Sequence, residues 1–249
     1  MCGPFFHGIG GVVSADIAVP EHERELAFYS KVLATGSAPL WRDDLTNNHG
    51  TPIIGLGPRS PEYESLPLQW MPHVQVADVA ASAARTLELG GRELFHGRGD
   101  DGSSQWAVLV DPAGAAFGLI PVVGDASDGP GDPAGMGRIA WLSLVVPDVP
   151  SLCRFYEQVV GWSSAPSGAA GRFEMQGPDG RAAAEIRPPQ GDGASLSGVW
   201  ILSLPVDDFD ESLRLVREGG GEVLEELPAS RYAIIRDPIG VCLALQAGP

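Results

Sequence analysis

Short stretches in which apolar residues alternate with polar or small ones run repeatedly into longer stretches with a helical apolar period. Residues 12–36 read VVSADIAVPEHERELAFYSKVLATG, and residues 139–162 read IAWLSLVVPDVPSLCRFYEQVVGW. Each predicts a strand, a Val-Pro-acid junction and an amphipathic helix carrying Phe-Tyr (Phe28-Tyr29 and Phe155-Tyr156). A second pair is VQVADVAASAARTLELGG from residue 74 against LSLPVDDFDESLRLVREGG from residue 202. A third is WAVLVDPAGAAFGLIPV from residue 106 against YAIIRDPIGVCLALQA from residue 232. Three anchors in one order, at an offset between 126 and 130 residues, indicate a tandem duplication. Within each half the strand–helix unit itself occurs twice. The predicted pattern is β-α-β-β-β four times over, an α+β chain. Glu21, Asp78, Asp148 and Asp208 stand where helices should begin, because carboxylates complement the unpaired N–H groups there. Asp111-Pro112 and Asp237-Pro238, each followed by Gly two residues on, predict turns between the last two strands of each half. The Gly/Pro/Asp-rich stretch 124–137 has no apolar period and reads as a linker between domains 1–123 and 138–249.

Charge then narrows the function classes. The 249 residues carry 32 acidic and 16 basic side chains, a formal net charge of −16. That field repels phosphate backbones and anionic bilayers, which argues against nucleic-acid and membrane partners. No apolar run is long enough to span a membrane. The first residues lack the basic and long apolar regions of a secretion signal, and three cysteines without C-x-x-C spacing imply neither a disulfide framework nor a zinc knuckle. The expected setting is the cytoplasm. Gly8-Ile-Gly10-Gly11 precedes a strand instead of following one, so it is no dinucleotide loop, and no phosphate-binding P-loop or G-x-S-x-G is present.

With the duplicated β-α-β-β-β order, two runs, Trp70-Met-Pro-His73-Val-x-Val-x-Asp78 and W-A-V-L-x-D-P-x-G-A-x-F at 106–117, carry a family resemblance. The chain resembles the vicinal oxygen chelate superfamily of glyoxalase I, bleomycin-resistance proteins and extradiol dioxygenases, in its tandem two-domain actinobacterial form. The resemblance covers all but the first few residues and the linker. It implies that the two modules of each domain curl into a cup-shaped mixed sheet with the site inside. Metal-dependent relatives would place ligands at Ser14, Met71 and Gly118 in the first half and at Trp141, Ile201 and Ala244 in the second. None of these is a carboxylate or imidazole, so a metal-independent protein with no cofactor is expected.

Residues two apart on a strand share a face, so Asp16 and His73 should point the same way as Ser14 and Met71. Gln75 continues that face, and Ser143 and Ser203 are the second-half counterparts. Two readings of Asp16 and His73 stand: a buried, mutually satisfied pair, or a general acid–base pair in which the carboxylate orients the imidazole. Trp70, Trp106, Trp141 and Trp200 offer flat rings for an aromatic ligand or for core packing. His49, after Asn47-Asn48, either caps the site or marks a solvated turn. His22 fails the H-E-x-x-H pattern, His96 adjoins the Gly97–Asp101 loop, and Glu174, Glu185 and Arg187 are expected on a solvated face. Cys153 reads as core and Cys242 as a poor nucleophile. The expected function is binding of a hydrophobic or aromatic small molecule, a secondary metabolite, for sequestration or biosynthetic handling. The alternatives are an isomerase, cyclase or lyase using His73 and Asp16, and a metal site rebuilt from Asp16, His73 and His49. A monomer is expected, with a dimer as the alternative.

Overall fold

A computed structural model describes residues 3–123, 137–168, 170–189 and 196–248. The linker lies outside the described residues except for Gly137, as does Cys2. The first half contains β1 (Val12–Val19), α1 (His22–Leu33), β2 (Ile54–Pro58), β3 (Met71–Val76), α2 (Val79–Glu88), β4 (Arg92–Arg98), β5 (Ser104–Val110) and β6 (Ala116–Pro121). The second contains β7 (Trp141–Val145), α3 (Val149–Val160), β8 (Ser163–Pro166), β9 (Phe173–Gln176), β10 (Ala182–Arg187), β11 (Trp200–Val206), α4 (Phe209–Glu218), β12 (Glu222–Leu227), β13 (Tyr232–Arg236) and β14 (Cys242–Ala247). This is the α+β alternation that the repeats predict. Three modules have a helix followed by three strands. In the first, isolated bridges Trp41–Asn47 and Thr46–Pro52 precede β2. The turn-forming run Asp43-Asp44 and Asn47-Asn48-His49-Gly50 leaves no alternating stretch from which longer strands could grow.

The chain divides into two compact units that cut across the sequence halves. Unit 1 comprises Met1–Val13, Met71–Ser127 and Trp141–Trp200, and unit 2 comprises Ser14–Trp70, Asp128–Ala140 and Ile201–Pro249. Unit 1 holds the strand runs β3-β6-β5-β4 and β7-β10-β9-β8, with α2 packed on α3. Unit 2 holds β11-β14-β13-β12 and the β1-β2 pair, with α1 packed on α4. Pairing is mixed. β3 runs parallel to β6 and β11 to β14, whereas β4-β5-β6 and β12-β13-β14 are antiparallel.

The helix starts follow short-range chemistry. Asp78, Asp148 and Asp208 accept from the backbone N–H three residues on, at 2.9, 3.2 and 3.0 Å. Glu21 makes no such cap; its longer arm pairs instead with Arg24 at 2.9 Å. The Asp-Pro turns form as predicted. Asp111 Oδ1 accepts from the N–H of Ala113 and Ala115 at 2.8 and 2.9 Å, and Asp237 Oδ1 from Ile239 and Val241 at 3.1 and 2.7 Å. Gly114 and Gly240 follow at φ of +101° and +97°, a conformation that a side chain would strain.

The Phe-Tyr and Asp-Pro motifs meet inside each unit. In unit 1 the Tyr156 hydroxyl donates to Asp111 Oδ2 at 2.9 Å, and in unit 2 the Tyr29 hydroxyl donates to Asp237 Oδ2 at 2.8 Å. Each bond ties a helix of one sequence half to a turn of the other. Burial pushes both tyrosine hydroxyls well above their usual titration range, so they remain donors. Among the described residues, no helix is long and apolar enough to cross a membrane.

Candidate functional site

The run β3-β6-β5-β4 presents two contrasting faces. Phe117 packs edge-on against Phe155 and Tyr156 of α3, so it and the other residues of its parity, Leu109 and Leu119, form the fully buried helix side. Register places the opposite parity on the other side: His73 beside Gly118, Gly118 beside Val108, and Val108 beside Phe95. The next row brings Gln75 beside Ile120, and Trp106 beside Gly97 on β4. This second face is half-buried and largely apolar. His73 is its imidazole.

Glycines clear the space that the polar and aromatic groups occupy. A Cβ on Gly118 would collide with the His73 ring, so the imidazole lies across the bare backbone of β6. A Cβ on Gly97 would overlap the Trp106 indole, which lies over β4 and keeps 43 % of its surface exposed. In unit 2 the carboxylate of Asp16, exposed on β1, lies over Gly55 of β2 in the same manner. Asp16 and His73 therefore occupy the strand parity that the sequence assigns, each on a glycine-cleared patch of its own unit.

The other predicted residues divide by burial. Ser14 and Trp141 are half-buried; Met71, Gly118 and Ser143 are buried. Gln75 is fully buried and already occupied. Its Nε2 donates to Phe6 O at 2.9 Å and Gly11 O at 3.3 Å, and its Oε1 accepts from Val123 N at 3.1 Å. It clamps the N-terminal segment. Trp70 and Trp200 are core residues at 1 % exposure, packed edge-on against Tyr29 and Tyr156. His49 is exposed in a turn whose shape Asn47 sets, accepting from the N–H of His49 and Thr51 at 3.1 and 2.8 Å. Ser203, also buried, donates to Gln246 at 2.7 Å.

On β7-β10-β9-β8 the corresponding row is charged. Ser143 stands beside Glu185, and Glu185 beside Glu174. Arg172 and Arg187 approach Glu185 at 3.4 and 3.7 Å, with the Arg187 and Glu185 side chains mostly buried. The expectation of a solvated face for Glu185 and Arg187 is thus corrected: they pair with each other and sink into the sheet. His96 is on β4, which extends through Gly97 and Arg98 into the stretch read as a loop. Burial pushes the Cys153 thiol up to about 11 and raises that of Cys242 as well, which keeps both protonated and unreactive.

The residues do not fit the metal that the fold family commonly carries. Met71, Ile201 and Ala244 are buried apolar side chains at ligand positions, and Gly118 has none. Among the described residues, no three His, Cys, Asp or Glu side chains are placed to hold an ion.

Sequence comparison is consistent with this architecture. Residues 13–120 match the family described as Glyoxalase-like domain, and residues 138–245 match the Glyoxalase/Bleomycin resistance protein/Dioxygenase superfamily. The Mycobacterium bovis protein named "Putative glyoxylase CFP32" is 30 % identical over 117 residues, covering 44 % of this chain and 45 % of that protein. The anthracycline biosynthesis protein DnrV of Streptomyces peucetius is 27 % identical over 188 residues, covering 74 % of this chain and 67 % of that one. The chain thus spans under half the length of the first relative and about two thirds of the second. Among solved structures, 2,2',3-trihydroxybiphenyl 1,2-dioxygenase from Sphingomonas wittichii strain RW1 superposes with a TM-score of 0.56 at 16 % identity, covering 98 % of this chain and 91 % of that one. That likeness shows the fold alone. With a domain match in each half, the chain belongs to the glyoxalase/bleomycin resistance protein/dioxygenase, or vicinal oxygen chelate, superfamily.

Proposed function

We propose that this chain binds a hydrophobic or aromatic small molecule without a metal, on the face of β3-β6-β5-β4 that turns away from the helices. One observation carries the reading: the Trp106 indole, laid over Gly97 and 43 % exposed, on the same face as Val108 and Phe95. An exposed tryptophan continuous with apolar neighbours gives a planar ligand a stacking surface, and His73 adds a single polar contact. The similarity to an anthracycline biosynthesis protein supports a polycyclic secondary metabolite as the class.

A second reading makes the face an enzyme site. His73, half-buried over the bare backbone of Gly118, would move a proton to or from the bound molecule in an isomerisation, cyclisation or elimination.

Titration with an anthracycline, followed by tryptophan fluorescence, tests the first reading. Trp106→Ala should weaken binding about tenfold, the loss expected for one stacked ring. Unchanged affinity in that variant would remove the face from consideration. His73→Gln separates the two readings. Pure binding predicts no turnover in either protein and at most a small loss of affinity, whereas the enzyme reading predicts wild-type turnover that the variant loses with affinity retained.

A further inference from the structure

On the outer end of the β4-β5 ladder, three side chains in unit 1 form a connected line. Glu93 Oε2 lies 2.9 Å from His96 Nδ1, and His96 Nε2 lies 2.8 Å from Ser104 Oγ. An ionised carboxylate only accepts, so the Nδ1 of a neutral imidazole carries the proton. Nε2 then presents its lone pair to Ser104, whose hydroxyl must be the donor. The imidazole side chain is 9 % exposed and Glu93 is 34 % exposed, so the ring is held while the line stays open at its ends. Ser104 itself is half-buried.

Two irregularities create this order. The register of β4 with β5 shifts between Glu93 and Phe95, and again between Gly97 and Arg98. Regular alternation would set Glu93 and His96 on opposite faces; the first shift lets them meet. At the second, Trp106 pairs with Gly97 and Ser104 with Arg98, leaving Gln105 outside the pairing. A bulge residue of this kind leaves its backbone groups unmatched in the ladder.

The geometry points to Ser104 as an acyl-accepting nucleophile, with His96 as its general base and Glu93 orienting the imidazole, acting on small activated esters. Ser104 Oγ attacks the carbonyl carbon as its proton passes to His96 Nε2. The carbon–oxygen bond to the leaving alcohol then breaks, and that alcohol takes the proton from His96. Water repeats the sequence on the acyl-serine, releasing the carboxylic acid and restoring the hydroxyl. The chemistry needs no oxidant, metal or cofactor, and it is separate from the Trp106 face.

The full chain would be treated with a fluorophosphonate, and the adduct located by peptide mass spectrometry. One adduct is expected, on Ser104, absent in Ser104→Ala. The labelling rate should fall about 100-fold in His96→Gln, the scale of a lost general base. Circular dichroism of each variant confirms that it folds. Glu93→Gln should slow labelling less than His96→Gln and change its pH profile, because the carboxylate acts through the ring. No adduct on the wild-type chain, an adduct on another residue, or equal labelling rates in wild type and His96→Gln would each overturn the proposal.

Discussion

The two Tyr–Asp ties have the same motifs and the same geometry, yet their surroundings differ, most of all by one buried charge. Beside Tyr156 and Asp111, the helix position four residues before the tyrosine is Leu152, buried and apolar. Beside Tyr29 and Asp237 the matching position is Glu25, fully buried, with neither carboxylate oxygen hydrogen-bonded. Burial, followed by the adjacent Asp237 charge, raises the Glu25 pKa to about 7. Asp237 is itself raised by burial. Trp200 adds a further difference: its Nε1 donates to Tyr156 Oη at 3.1 Å, whereas Trp70 Nε1 makes no hydrogen bond. Unit 1 has a fully satisfied tie, and unit 2 has one loaded with a second acid.

Removing the aspartates should show this most strongly. Asp111→Ala strips three hydrogen bonds from a buried turn and should cost about 3–5 kcal/mol in urea denaturation. Asp237→Ala breaks equivalent bonds but frees Glu25 of a neighbouring charge, so above pH 7 it should cost at least about 1 kcal/mol less. Equal losses would show that the two ties are energetically alike.

Glu25→Leu, which copies Leu152, gives the next largest effect, with the opposite sign. A carboxyl whose folded pKa lies above its unfolded one stabilises the fold fully below the unfolded value. That contribution is lost as pH rises toward the folded pKa near 7. Wild-type stability should therefore decline between about pH 4.5 and 7. Glu25→Leu should flatten the decline and gain about 2–3 kcal/mol at pH 8. Melting curves at pH 5 and pH 8 suffice, and an unchanged difference between them would deny Glu25 this role.

The smallest effect separates the hydroxyls. Tyr156→Phe orphans both Asp111 Oδ2 and Trp200 Nε1, and should cost about 2 kcal/mol. Tyr29→Phe orphans one acceptor and should cost about 1 kcal/mol. A reversed order would mean that the indole bond contributes nothing.

The architecture was legible because duplication repeats each local signal: three of the four acidic helix starts cap as expected, and both Asp-Pro turns close. The parity of Asp16 and His73 was also legible, since alternation on β1 and β3 is regular. The division into units was not. Tyr29 and Asp237 belong to different sequence halves, and nothing local marks them as partners. Glu25 was not legible, because the helical period of α1 does not reveal that the partner surface reaches so far around. His96 and Ser104 were hidden by the bulges, where the rule of two fails. Trp70 and Trp200 looked like ligand platforms because composition does not distinguish an exposed ring from a packed one.

The separation in sequence across each tie has a consequence for synthesis. Tyr156 and Asp111 are 45 positions apart, but Tyr29 and Asp237 are 208 apart. Unit 1 has all its segments once Trp200 has left the ribosome, whereas unit 2 must wait for the final turn of the chain. Until α4 has been made, α1 with its apolar Phe28, Val32 and Leu33 lacks the helix it packs on. The nascent chain thus carries an adhesive surface on α1 from its synthesis until α4 emerges, whereas no segment of unit 1 lies beyond Trp200.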